Sequence, residues 1–315
     1  MQPSQAVPVP LPVLVVLRGI GQIVFQDNAI TGALFVLGIA LSLPLQAAGI
    51  VAGALIGTAT AWLLQFNPEE RDAGIWGFNP ALVGIATLFF FQPGVLSLLL
   101  LVVGCVAATL LTWAMRKHVP FPTYTTPFIV VTWVIFLVGR ALGAEGASAD
   151  AQALVDNPKF ISYAVESTLH GVGQIMFQGS FWTGLCFIVG IAISNARHAG
   201  WVLLGSFVGM LMASYHVTAG LNSIDPERLI EKPLFDNIKL GLYGYNATLA
   251  PVALYLWRRS LIAPLLGMII SVPITEFFPQ TGLPALTAPF VLATWIVLGL
   301  YWLEARFFSD SKSSS

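Results

Sequence analysis

Charge is what this chain has least of. Asp, Glu, Lys and Arg supply only 9% of its 315 residues, where an ordinary soluble domain carries about 25%. So few charges cannot clothe a water-facing surface, which excludes a soluble globular protein. The 14 basic and 15 acidic residues nearly cancel. There is no basic stripe for nucleic acid and no acidic or basic tail for an oppositely charged partner. Cysteine is nearly missing too. Cys105 and Cys186 both stand in apolar runs, which reads as two buried small hydrophobes and not a disulfide. The histidines His118, His170, His198 and His216 show neither metal-ligand spacing nor a histidine partner in the repeat described below. No metal site and no pore lined by a histidine pair is therefore expected. The chain also lacks a His/Asp/Glu cluster, an activated Ser or Cys, and a cofactor-binding loop, so no enzyme activity and no cofactor are expected. The opening MQPSQAVPVPLP has neither a basic n-region nor a clear cleavage site, so no removed leader is expected.

What the chain has in quantity is apolar sequence. Apolar residues make up 57% of it, and the mean hydropathy is +0.81. Lipid must be the solvent for much of this surface. Reading for runs near the 20 or so residues that span a bilayer gives 11–26, 29–44, 47–65, 78–92, 94–115 and 125–143. A second set follows at 162–178, 181–195, 199–218, 245–257, 260–278 and 286–307. Several are short or interrupted by Gly or Pro. At membrane depth, irregular backbone survives only where protein buries it or where it lines a cavity, so broken segments point to a transport path. The polar stretches are 66–76, 144–161 and 220–241, and the middle one reads as the connection between the halves. The resulting division is a first membrane repeat at 1–143, a connecting loop at 144–161, a second repeat at 162–308, and a disordered tail at 309–315.

The two sets of segments are copies. GIGQIVFQDNAITGALFVLGIA (19–40) aligns with GVGQIMFQGSFWTGLCFIVGIA (171–192), with about half the positions identical. GFNPALVGIA (77–86) aligns with GYNATLAPVA (244–253). FPTYTTPFIVVTW (121–133) aligns with LPALTAPFVLATW (283–295). Three matches in the same order indicate duplication.

Basic residues orient the copies, because cytoplasmic loops collect Lys and Arg. The loop after the second segment is PLQAAG in the first copy and NARHAG, with Arg197, in the second. After the fourth, FQPG is matched by a loop holding Arg258 and Arg259. After the fifth, Arg116 and Lys117 are matched by FPQTG. Every comparison reverses, so the repeat is inverted. Inversion needs an odd number of crossings per half. The glutamine-bearing segments 11–26 and 162–178 are the ones expected to dip in without crossing. The expected fold is an all-α, multi-pass membrane protein of two inverted halves, each with about five transmembrane helices and one re-entrant or short pore helix. Both termini are expected on the cytoplasmic side of the cell membrane.

At these motifs the chain resembles the urea transporter family. Gly-Gln-x-x-Phe-Gln stands twice, and Leu283-Pro284-Ala285-Leu286-Thr287-Ala288-Pro289-Phe290 fits the family's Leu-Pro-x-x-Thr-x-Pro-Phe signature. The first copy begins with Phe121 and keeps Pro122, Thr125, Pro127 and Phe128. The resemblance covers about Gly19 to Trp295. It implies a homotrimer with a pore inside each subunit and passive conduction of urea. It also implies two flat aromatic slots flanking a narrow centre, here Phe25 with Phe78 and Phe177 with Tyr245, with Leu82 and Leu249 nearby. Many relatives carry Phe at the position of Tyr245 and Glu at that of Gln174.

Urea is small, planar and neutral, with one carbonyl acceptor and four N–H donors. Stripping water from an unpaired amide costs roughly 2–7 kcal/mol, so a urea pore must offer acceptors. Gln22, Gln174, the Thr125 and Thr287 hydroxyls, and backbone carbonyls freed near Pro122, Pro127, Pro284 and Pro289 are the candidates. Other readings stay open. A membrane glutamine also serves to join helices, and a threonine in a proline-rich turn serves as a cap. Asn79 and Asn246 read as structural, capping the segments that follow them. An ion- or proton-coupled transporter of urea or short amides is the alternative function, since coupled transporters also favour inverted repeats.

Overall fold

In the computed structural model, residues 12–147, 162–222 and 232–308 are described. Fourteen α-helices run through them, seven per half. In the first half they are α1 Pro12–Gly21, α2 Ala29–Ser42, α3 Pro44–Leu63, α4 Pro68–Asp72, α5 Phe78–Phe90, α6 Val95–His118 and α7 Thr126–Ala141. Their counterparts are α8 Tyr163–Gly173, α9 Phe181–Ser194, α10 Ala196–Asn222, α11 Lys232–Lys239, α12 Tyr245–Trp257, α13 Ile262–Phe277 and α14 Ala288–Phe308. The twelve apolar runs agree with the observed helices to within a few residues. The polar stretches 66–76 and 220–241 hold the short helices α4 and α11. The tail 309–315 and most of the connecting loop lie outside the described residues.

Among the described residues, five helices are long and apolar enough to span a bilayer on their own: α3, α6, α10, α14, and α13 with the 3₁₀ turn that extends it. α1 bends into α2 by 78°, and α8 into α9 by 75°. The bend has a local cause. α1 tightens into a 3₁₀ turn at Gln22–Val24, and Phe25 then takes a left-handed conformation at φ 60°. Asn28 restarts the chain as α2 by accepting from the backbone N–H groups of Ile30 and Thr31. The second copy repeats this with Gln174–Met176 and Phe177 at φ 62°, and Ser180 caps α9 through Thr183. At 1.5 Å per residue, α1 reaches about 15 Å, half of a hydrocarbon core of about 30 Å. The glutamine-bearing segments α1 and α8 thus end at a sharp break, which makes each pair a bent span or a re-entrant loop.

α5 and α12 are equally telling. Each has 13 residues, and the stretches Asn79–Leu88 and Asn246–Leu254 are buried throughout. A helix that is apolar all round and shielded on every side belongs at the centre of the protein.

The two halves meet about a pseudo-two-fold axis. α2 and α9 run antiparallel: Thr31 Oγ1 donates to Gly190 O, and Thr183 Oγ1 to Gly38 O, each at 2.7 Å. The Phe35 and Phe187 rings pack between them at 4.6 Å. Each half also closes the other. The Trp133 indole donates to Pro284 O at 2.8 Å, and the Trp295 indole to Pro122 O at 2.9 Å.

A chain of contacts collects the basic residues at one end. Arg116 pairs with Glu70 of α4, and Arg18 donates to Asp72 O of α4 at 2.8 Å. Arg18 also pairs with Asp27 at 3.6 Å. The next residue back in that loop, Gln26, meets His198 beside Arg197. Tyr255 packs on His198, and Arg258 lies over the Tyr301 ring of α14. At the opposite end stand Arg140, the Lys239–Glu166 pair and the His216–Glu276 pair. Arg116, Arg197 and Arg258 share an end, as an inverted repeat requires.

Candidate functional site

The site grows from the two broken turns. Gln174 Nε2 donates to Leu240 O at 3.0 Å. Its counterpart, Gln22 Nε2, donates to Ala73 O, also at 3.0 Å. Because the partner is a carbonyl, it is the amide nitrogen that must face it. Each carboxamide is thereby oriented, with its oxygen left to accept. Gln22–Val24 is a 3₁₀ turn and Phe25 leaves it left-handed, so Gln22 and Phe25 do not share the face of a regular helix. The turn itself brings them together.

The segments reaching these carbonyls are held by glycine. Gly74 and Gly241 both have φ +76°. A Cβ on Gly74 would lie 2.3 Å from Gly19 N, and one on Gly241 would lie 2.1 Å from Gly171 N. Only a residue with neither a Cβ nor a left-handed penalty fits there. The residue preceding each acceptor carbonyl is tied as well: Arg18 donates to Asp72 O, and His170 Nδ1 lies 2.7 Å from Lys239 O.

A cavity of about 160 Å³ opens at the second-half turn, walled by Phe177, Tyr245, Phe89, Phe90, Phe128 and Leu286, with Gln174 and Thr287 as its polar members. Phe177 meets Phe89 at 4.7 Å with 32° between the rings. It meets Phe90 edge-on at 6.2 Å. Of the residues singled out from the sequence, Gln174, Phe177, Tyr245 and Thr287 thus face one space. In the first half, Gln22, Phe25 and Phe78 are each half-buried. There Phe25 packs edge-on against Tyr124 at 6.0 Å and Phe290 at 6.2 Å. Leu82 and Leu249 are fully buried in the central core and do not line the 160 Å³ cavity. Thr125 joins the arrangement through its hydroxyl, 2.7 Å from that of Thr287. These buried hydroxyls bond each other, and that of Thr125 makes no side-chain cap.

Near the prolines, the carbonyls of Pro122 and Pro284 each accept one indole N–H, from Trp295 and Trp133. Two details depart from the sequence reading. Asn79 and Asn246 do not cap their own helices: their Oδ1 atoms accept from Phe128 N and Phe290 N, in the first turns of α7 and α14. The aromatic walls also include Phe89, Phe90, Phe128, Tyr124 and Phe290, which the sequence reading missed. Phe128 and Phe290 were within reach, since both copies of the proline-rich motif end in Pro-Phe.

Inverted halves, two half-length helices entering from opposite ends, and polar turns meeting near a buried hydroxyl pair define an inverted-repeat membrane transporter. Residues 13–301 match the family model described as Urea transporter, and the chain belongs to that family. It is 28% identical over 305 residues to Urea transporter 1 of Ovis aries, covering 90% of this chain and 75% of the relative. Urea transporter 1 of Capra hircus matches at the same identity and coverage. Urea transporter 1 of Rattus norvegicus is 27% identical over 307 residues.

Proposed function

We propose that the chain forms a passive pore through which urea crosses the cell membrane down its gradient, entering and leaving through the two aromatic slots. The observation that carries this reading is the oriented carboxamide of Gln174 inside an aromatic cavity, repeated about the pseudo-axis by Gln22. A flat solute slides between rings, and its N–H groups need acceptors once water is stripped away. Gln174, Gln22 and the lone pairs of the threonine pair supply them. Phe25, Phe78, Phe177 and Tyr245 supply flat walls, and Leu82 and Leu249 the apolar packing behind them. Aromatic walls without a fixed charge favour a neutral solute, because an ion loses far more on desolvation. Binding stays weak, so that release is fast.

The pore lies within one chain, and three chains assemble as a homotrimer in the lipid bilayer. Acidic side chains at the ends pair with bases: Glu70 with Arg116, Asp27 with Arg18, Glu166 with Lys239 and Glu276 with His216. That supports dissipation over coupling. The test is urea flux into sealed proteoliposomes, followed by light scattering, with and without proton and sodium gradients. Flux that is gradient-independent and non-saturating at low urea is expected. Steady accumulation of urea above the outside level in energised vesicles would overturn the passive reading.

A further inference from the structure

Behind each slot lies a second glutamine, one residue past the left-handed phenylalanine. Gln26 is buried, and its Nε2 donates to Val24 O at 2.6 Å while lying 3.0 Å from His198 Nδ1. The equivalent Gln178 Nε2 donates to Met176 O at 3.1 Å and to Gln46 Oε1. Gln46 and His198 occupy matching positions in the two copies, in the first turns of α3 and α10. Each amide nitrogen therefore clasps its own turn with one N–H and the opposite half with the other.

The two clasps differ in one chemical respect. The acceptor at Gln46 is a carboxamide oxygen, which keeps its lone pairs at any pH. The acceptor at His198 is a ring nitrogen. Because Gln26 presents an N–H, His198 Nδ1 must be bare, which requires a neutral imidazole protonated at Nε2. A second proton would set N–H against N–H and break the clasp. The turn at Phe25 would keep its own bonds, Gln26 Nε2 to Val24 O and Gln26 N to Gly21 O, but lose its tie to the opposite half, and a bulky residue holds a left-handed conformation only when its surroundings enforce it.

From this geometry we infer that His198 is a positioning residue for the slot at Phe25, and that its protonation loosens that slot and lowers urea flux, while the clasp behind Phe177, Gln178 on Gln46 and Met176, holds no titratable group. The inference rests on the passive urea pore proposed above.

The surroundings of His198 leave it free to act alone. From α12, Tyr255 meets it edge-on at 6.1 Å, and at the α9–α10 joint Asn195 Oδ1 accepts its backbone N–H at 3.3 Å. Arg197 precedes it, and Arg258 lies over Tyr301. From the α1–α2 loop, Asp27 is engaged by Arg18. Of the groups on α8, α11 and α13, Glu166 pairs with Lys239 and Glu276 with His216 at the other end, where His170 also lies 2.7 Å from Lys239 O, and Asp236 is exposed.

The experiment is urea efflux from proteoliposomes of the full chain, with equal pH on both sides, scanned from about pH 8 to pH 5 across the ordinary imidazole range near 6.5. The wild type should slow roughly threefold or more as pH falls. His198→Gln installs the acceptor the other half already uses. It should match the wild type at the alkaline limit and lose the pH dependence. Gln46→His should add a pH-sensitive step at the other slot and deepen the fall. Gln26→Leu should be slow and flat, because nothing then reads the imidazole. A wild-type flux that stays level over this range overturns the inference and needs no variant, and so does a His198→Gln protein that keeps the fall. Absence of urea flux at the alkaline limit would instead strike at the pore reading itself.

Discussion

The slots at the two ends keep the same skeleton and line it with different material. In both, a 3₁₀ turn ends in a left-handed phenylalanine, at φ 60° and 62°. In both, a glutamine donates 3.0 Å to a backbone carbonyl. Yet the aromatic bulk comes from different places. Phe177 leans on Phe89 and Phe90 at the end of α5. The matching residues of α12, Leu256 and Trp257, face outward, and Trp257 packs on Tyr301. Phe25 leans instead on Tyr124 and Phe290, and the counterpart of Tyr124 is Leu286. The reason lies in the acceptors. Backbone carbonyls are blind to side chains, so Ala73 and Leu240 serve alike, as do Asp72 and Lys239, which carry opposite charges. Backbone geometry is tightly held between the copies, while the walls have diverged.

The strongest way to break this comparison is to attack the shared skeleton. Gly74→Ala and Gly241→Ala each force a Cβ into backbone at positive φ. Strain and overpacking together should cost about 2–6 kcal/mol at either site, read as a similar drop in thermal stability of the purified protein. A mild effect at one glycine and a severe one at the other would show that the crossings are not equivalent.

Next come the oriented amides. Gln174→Leu and Gln22→Leu remove the acceptor, leaving a urea N–H unpaired at about 1–3 kcal/mol. Urea flux should fall roughly five- to a hundredfold, at about 1.4 kcal/mol per tenfold, with gel filtration unchanged. Well-assembled variants with full flux would remove these residues from the pore.

The walls should respond less. Phe89→Leu gives the second slot the residue type of the first. An aromatic pair contributes about 0.5–1.5 kcal/mol, so the preference for urea over a non-planar solute of similar size should drop about two- to tenfold. Leu256→Phe should change nothing, since that side chain is 51% exposed on the outer surface. The smallest effect is expected from Tyr245→Phe, which matches the slot to Phe78. Flux should change by no more than about threefold, less than the ~1 kcal/mol of a net hydrogen bond. Parallel measurement with urea and a methylated urea checks both.

The sequence carried most of the fold, because membrane helices and repeats announce themselves by apolar length and self-similarity. The inversion followed from Arg116, Arg197 and Arg258 alone. α4 and α11 escaped because PEERD and KPLFDNIK lack apolar length. The left-handed Phe25 and Phe177 were invisible, since nothing in a phenylalanine signals positive φ and only the surrounding packing enforces it. The bonds from Trp133 to Pro284 and from Trp295 to Pro122 span 151 and 173 residues, and periodicity carries no information at that range. Gln22, Gln174, Thr125 and Thr287 stand out by their chemistry and their pairing, and the variants above test their part in conduction. The wall residues Phe89, Phe90 and Tyr124 were not, because the repeat does not preserve them.

The hydroxyls of Thr125 and Thr287 stand 2.7 Å apart, on equivalent residues of the two halves. Two identical hydroxyls cannot both donate to each other, so at any instant one gives its proton and the other is free to turn its own elsewhere. The pair has two states, mirror images in energy to the extent that the halves agree, and rotation about two short bonds exchanges them. In the proposed pore, a solute arriving from either end would meet the same choice of donor or acceptor. The pair itself carries no arrow: a junction whose polarity is set by whatever touches it last has no means of its own to favour one direction of travel.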